Sequence, residues 1–249
     1  MELQPRANKT ALITGAAKRV GAAIAVALHQ QGYDLLIHYH HSKQDALELQ
    51  QQLNQKRSGS AFLYQANLVD MDAVENLANT ILTNHHRIDL LINNASAFFP
   101  TPLENSTQEQ WDTLINTNLR APYFLSSALR TPLAQAEGCI INMIDIHAQR
   151  GLPDHPIYSI AKAGLEMMTK SLAKELAPLI RVNGIAPGVI LWPENEMSEE
   201  QKQNILNKTL LQRPGECGDL ADAAVYLAGA RYVTGHILTV DGGKSLFSH

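Results

Sequence analysis

The sequence predicts an α/β fold in which helices cover both faces of a parallel sheet. Three observations carry that expectation. Short apolar runs such as DLLINN and CIINM alternate with longer amphipathic segments along the whole chain, which is the rhythm of βα units. The runs are apolar throughout rather than at every second residue, as strands buried on both faces require. The first run, ALIT, leads through TGAAKRVG into the small-residue segment GAAIAVALHQQG, a strand, a glycine turn and a helix in succession.

Taken in order, the apolar runs place strands at Thr10–Ile13, Asp34–Tyr39, Ala61–Gln65, Leu90–Ile92, Cys139–Ile144, Arg181–Ile185 and Ile237–Val240. The amphipathic segments between them open helices near Arg19, Lys43, Asp70, Thr107, Tyr158 and Asp219. One stretch breaks the rhythm. Gly188–Arg213 is a long insertion between the last two strands, with an acidic start and a helix expected from Ser198. Connections of that length in compact domains are commonly functional lids, and this one follows a strand C-terminus, where open α/β sheets bind ligands.

Composition narrows the class. With 249 residues, 45% hydrophobic and 18% charged, the chain reads as one domain over residues 1–249 with a sizeable core. A net charge of −4 gives no pull toward nucleic acid or an anionic membrane. Cys139 and Cys217 have neither metal-ligand spacing nor a disulfide framework, and Cys139, opening an apolar run, reads as buried. The first residues, MELQPRANK, lack the apolar core of a secretion signal, and no run reaches the length of a membrane span. The expectation is a cytoplasmic protein in a reducing compartment.

The glycine turn suits the diphosphate of a dinucleotide, held by N–H groups at a helix N-terminus. Gly15 supplies the tight turn and Gly21 the close approach of helix to strand; the third glycine of the usual fingerprint falls near Arg19. The second strand ends in LLIHYHHSK. An NAD site places a carboxylate there for the ribose hydroxyls, yet none occurs before Asp45. His38, Tyr39, His40, His41 and Ser42, with Lys43 behind them, suit a 2′-phosphate, so NADPH is expected. A metal site at HYHH is the rival, but no neighbouring Cys, Asp or Glu completes a ligand set.

The sharpest constellation is DIHAQRGLPDHPIYSIAK. Tyr158 and Lys162 lie four apart at a helix start and share a face. The ammonium is expected to lower the phenol pKa and make Tyr158 a proton donor near neutrality. Asp145 stands thirteen residues earlier, at a strand C-terminus.

These residues resemble the short-chain dehydrogenase/reductase family over nearly the whole chain: TGAAKRVG, NNAS at 93–96, Asn118 in NTNL, Tyr158-Ser-Ile-Ala-Lys162, RVNGIAPG and VTGHILTVDGG. The resemblance implies a Rossmann-type, doubly wound sheet of seven parallel strands in three αβα layers. It implies hydride transfer from a nicotinamide assisted by Tyr158 and Lys162, with Asn118 completing a proton relay, and a homotetramer. Cofactor contacts are implied for Val20, Asn67, Leu68, Asn94, Ala95, Ser96, Pro187, Gly188 and Val189. Two departures narrow the substrate. Asp145 stands where most members have serine, and a carboxylate would repel the alkoxide of a reduced ketone; Arg19 replaces the loop glycine. Both occur in the pteridine reductases, which the chain resembles in TGAAKR, HYH, NNASAFFPTPL, NMID and YSIAKAG. ILNKTLL and PGE resemble the bacterial dihydromonapterin reductases. This branch implies a pterin stacked between nicotinamide and Phe98, its polar edge held by Arg19, Ser96, Asp145 and Tyr158. FFP offers two aromatics for that stack. Dihydrobiopterin, dihydromonapterin and dihydrofolate are the expected substrates, and a 3-oxoacyl thioester reductase is the rival reading.

Overall fold

In the computed structural model, which describes residues 8–190 and 198–246, seven strands form a single parallel sheet. They are β1 (Thr10–Ile13), β2 (Asp34–Tyr39), β3 (Ala61–Gln65), β4 (Leu90–Asn93), β5 (Cys139–Met143), β6 (Arg181–Pro187) and β7 (Ile237–Val240). Their spatial order is β3-β2-β1-β4-β5-β6-β7. Ile13 pairs with Ile37 on one side and Ile92 on the other. The chain therefore winds outward from β1 in one direction, crosses back, and winds out from β4 in the other. The C-terminal ends of β1 and β4 flank that reversal, where open sheets of this kind hold ligands.

Nine helices occur among the described residues: α1 (Arg19–Gln30), α2 (Lys43–Lys56), α3 (Met71–Asn84), α4 (Gln108–Ile115), α5 (Ala121–Ala128), α6 (Arg130–Gln135), α7 (Pro156–Glu175), α8 (Glu199–Asn207) and α9 (Cys217–Gly229). Alternate strand residues feed two cores. Ile13, Ile37, Ile92 and Ile141 pack with Ile24 and Leu28 of α1 and Leu220 and Leu227 of α9. Leu12, Leu36, Leu91 and Ile140 face the other way, onto Leu77 and Ile81 of α3 and Leu125 of α5. The period of two thus gives each layer its own face of one sheet. Cys139 is buried, as its place in an apolar run suggests.

The expected strands are present, and only the C-terminal ends of β4, β5 and β6 differ from expectation, by one or two residues. The helix expected from Tyr158 begins at Pro156, because proline at the first helical position leaves no donor unpaired. Asp70, Thr107 and Ser198 are N-caps whose side chains accept backbone N–H groups. The helix from Thr107 does not run on as one piece. A π-turn at Asn116–Arg120 joins α4 to α5, and α6 follows.

Part of the expected lid, residues 191–197, lies outside the described residues. Its helix, α8, has no buried residue. The far end is tied to the C-terminal segment where Leu211 donates its N–H to the Gly242 carbonyl at 3.0 Å. No described helix is long and apolar enough to cross a membrane.

Candidate active site

At the end of β1 the backbone turns sharply through Gly15, whose φ is +61°. A Cβ there would lie 2.9 Å from the Cα of Ala95, and one on Gly21 only 2.3 Å from the Gly15 carbonyl oxygen. Glycine is the residue that fits at both positions. Thr14, which sequence reasoning did not single out, joins this loop to the one after β4. Its Oγ1 accepts the N–H groups of Asn94 and Ala95, each at 3.0 Å. The Asn94 amide donates back to the carbonyls of Thr14 (2.9 Å) and Gly15 (3.0 Å).

Arg19 is exposed and has a φ of +55°. That left-handed conformation explains why a glycine is usual here, and it costs an L-residue about 1–2 kcal/mol. Lys18, the N-cap of α1, makes no side-chain cap bond, and the first turn of the helix has no acidic residue. Its leading N–H groups, with Val20 behind them, are therefore suited to an anion. Ser42, at the N-cap of α2, likewise makes no cap hydrogen bond. This cradle fits the diphosphate and 2′-phosphate of a dinucleotide, with Arg19, His40, His41, Ser42 and Lys43 as the groups that would hold it.

His38 corrects the sequence expectation. It is buried rather than offered to a phosphate. Its Nδ1 accepts the Gly15 N–H at 3.1 Å, and its Nε2 lies 3.2 Å from the Ala66 carbonyl, which assigns the neutral tautomer protonated at Nε2. Burial, above all, pulls its pKa down to about 4. Tyr39 is also buried. His40 and His41 remain at the surface with ring centroids 3.5 Å apart.

A depressed histidine pKa stabilises the fold above its unfolded value of 6.5 and ceases to as pH falls through 4. Unfolding free energy is therefore expected to drop by about 3 kcal/mol across that window from His38. His29, buried against Ser60 Oγ at 2.7 Å, shifts in the same direction. Denaturant titrations at several pH values should show the slope, and His38→Asn should flatten it. An unchanged slope would mean that His38 titrates normally.

The β5 end and the start of α7 bring together the residues expected to carry chemistry. Asp145 caps the short 3-10 turn Ile146–Ala148, its Oδ1 accepting the His147 N–H at 2.8 Å. Its Oδ2 accepts the Tyr158 hydroxyl proton at 2.8 Å. Lys162, buried with 2% exposure, donates from Nζ to the Met143 carbonyl at 2.8 Å. Its Nζ stands 5.6 Å from the centre of the Tyr158 ring.

The expected lowering of the Tyr158 pKa is not found. Burial holds it well above the usual phenol value, reinforced by the Asp145 charge and hydrogen bond, while Ser96 acts in the opposite sense. Lys162 is itself pulled down to about 8 by burial, against the opposing charge of Asp145. Burial thus favours the neutral form of both groups, the phenol and the amine.

Phe98 projects at 51% exposure beside this centre. Its ring meets the Tyr158 ring edge-on at 4.8 Å and lies parallel to the His155 ring at 4.6 Å. Phe99 instead packs inward against Leu114, Ile157 and Tyr158. Of the two aromatics in FFP, Phe98 is the exposed one, with His155 against its ring. Ser96 donates to Asn118 Oδ1 at 2.7 Å, and the Asn118 amide donates to the Ala97 and Leu114 carbonyls, both at 2.9 Å. These bonds connect Asn118, inside the π-turn, to the Ser96 loop.

The remaining expected residues surround the same edge of the sheet. Asn67 Oδ1 accepts the Val69 N–H at 3.1 Å, shaping the turn after β3, and Leu68 is buried beneath it. Pro187 ends β6. Gly188 donates to the Val240 carbonyl at 3.0 Å, and Val189 accepts from Gly215 at 2.9 Å. Among the described residues no group of three or more His, Cys, Asp or Glu side chains could hold a metal ion.

Residues 15–245 match the family model described as enoyl-(acyl carrier protein) reductase. Pteridine reductase 1 of Leishmania tarentolae is 34% identical over 277 residues, covering 95% of this chain and 96% of its own. The 3-oxoacyl-[acyl-carrier-protein] reductase of Staphylococcus aureus strain Mu50 is also 34% identical, over 241 residues and 95% and 98% of the two chains. The Chlamydia trachomatis serovar D enzyme of that name is again 34% identical, over 246 residues and 96% and 98% of the two chains. Identity is equal for the two activities, so only particular site residues can separate them.

Proposed function

The chain belongs to the short-chain dehydrogenase/reductase family of oxidoreductases, and from that premise we propose that it is an NADPH-dependent reductase of dihydropterins. The observation that carries the reading is the Asp145 carboxylate hydrogen-bonded to Tyr158 beside the exposed Phe98 ring. A carboxylate there accepts N–H groups from a nitrogen-rich heterocycle, and Phe98 offers it an aromatic face. Neither feature helps a simple carbonyl, whose developing oxyanion the carboxylate would repel.

Bound in the cradle, NADPH supplies the hydride. Tyr158, protonated at rest, turns its proton from Asp145 Oδ2 to the ring nitrogen beside the reduced carbon, directly or through a water. Asp145 holds the donor in place and accepts from the substrate's polar edge. Lys162, anchored on Met143, holds the nicotinamide ribose, while Asn118 fixes Ser96 near the phenol. Arg19 reaches both diphosphate and pterin with a planar fork that suits either partner.

Purified protein should oxidise NADPH with dihydrobiopterin or dihydromonapterin; inactivity with every pterin would end the proposal. The alternative, a short-chain carbonyl reductase such as a 3-oxoacyl thioester reductase, stands on the same 34% identity to such enzymes. Faster turnover of 3-oxoacyl thioesters than of any pterin would establish it.

Arg19→Gly separates fold from ligand. Glycine adopts the left-handed turn without strain, so the loop should keep its shape while affinity for NADPH and for pterin falls together. If calorimetry shows weaker cofactor binding alone, Arg19 does not bridge the two. The assembly proposed with this activity is a homotetramer, supported by exposed Trp111, Tyr123, Phe124, Ile160 and Met167 on α4, α5 and α7. Sedimentation equilibrium tests it.

A further inference from the structure

Glu166 is a carboxylate buried to 8% exposure on α7. It lies eight residues after Tyr158 and four after Lys162, so the three share one helix face. A buried carboxylate is costly unless its lone pairs are filled. Lys170 supplies one partner from the same helix, with Nζ 2.6 Å from Oε1. The other comes from outside the helix. The Gln149 amide donates to both carboxylate oxygens, at 3.0 and 3.2 Å.

Gln149 follows directly on the 3-10 turn that Asp145 caps. The same segment is held to α7 where the Leu152 N–H donates to Ser159 Oγ at 3.0 Å. Asp145 itself has one oxygen committed to the turn and the other to Tyr158. The loop is thereby fastened to α7 on both sides of its exposed tip, at Gln149 and at Leu152. If Gln149 is released, the turn holding Asp145 loses one of its ties to the helix holding Tyr158 and Lys162, leaving Leu152 on Ser159 and Ile146 packed against Leu165 and Met168.

We propose that Glu166 is a positioning residue which, through Gln149, keeps the Asp145 carboxylate in contact with the Tyr158 hydroxyl. The proposal rests on the reading of Asp145 and Tyr158 as the proton-donating pair. It adds a charged group outside the cleft that sets their separation. A shift of about 1 Å at a reacting pair can cost up to about a hundredfold in rate, so a modest loosening is measurable.

Gln149 is exposed, so Gln149→Ala should fold normally. It is expected to lower kcat about tenfold while KM for NADPH and the melting temperature hold. Glu166→Gln, which keeps an amide able to pair with Gln149, should lose less than Glu166→Leu. The double variant Gln149→Ala/Glu166→Leu should be no slower than Glu166→Leu alone, because both break one link. Unchanged kcat in Gln149→Ala overturns the proposal, as do additive losses. If Glu166→Leu does not fold, Gln149→Ala decides. Tyr158→Phe measured alongside keeps the two questions apart: should it retain activity, the proton-donor assignment fails, whatever Gln149 does.

Discussion

Tyr158→Phe is expected to fold normally and to lose about 10²–10⁴ of kcat, the usual contribution of a positioned proton donor. The ring would keep its packing against Leu114 and Ile157 and its edge contact with Phe98. Only the hydroxyl that donates to Asp145 disappears. NADPH affinity should change little, since the cradle at Gly15, Arg19 and Ser42 is untouched. Single-turnover measurements with saturating cofactor check this. A variant within tenfold of the parent would show that water or another group delivers the proton.

Asp145→Ser tests the residue on which the substrate assignment depends. It is expected to lower kcat/KM for dihydropterins by about a hundredfold, the scale of a lost charge-assisted contact at a reacting centre. The pH dependence should move as well. Tyr158 is held high first by burial and then by the Asp145 charge and hydrogen bond, so the variant's phenol should ionise at lower pH. The alkaline limb of kcat, where the phenol loses its proton, would shift downward. Lys162 should move the same way, because the Asp145 charge that opposes its burial is lost as well. A serine variant that kept its pterin activity and its profile would mean that Asp145 acts only as the cap of its turn. A variant that gained 3-oxoacyl activity while losing pterin activity would show that this one position divides the two substrate classes.

The seven apolar runs, their order, the glycine turn and the Tyr158/Lys162 spacing were legible in the sequence because each is local. Apolar periodicity, N-cap chemistry and i,i+4 geometry depend on residues within a turn or two of one another. Even the unusual loop arginine could be noticed there, although its left-handed backbone could not be measured.

Burial, charge and the direction of side chains were settled by partners distant in the chain. His38 looks like a phosphate ligand beside His40 and His41. In the fold its ring lies between Gly15 and Ala66, contributed by other βα units. Phe98 and Phe99 are equivalent as letters, and α7 separates them by burying one and leaving the other beside Tyr158. The Tyr158 pKa rises although Lys162 is four residues away, because burial and the charge and hydrogen bond of Asp145 act on it from outside its own helix turn. Gln149 and Glu166, seventeen residues apart, give no local signal of their hydrogen bonds. The sequence by itself determined where the strands and helices form and which side chains share a helix face. The tertiary structure decided which of those side chains reach the cleft and which protons they hold, since desolvation and Coulomb interactions act through space between elements far apart in the chain.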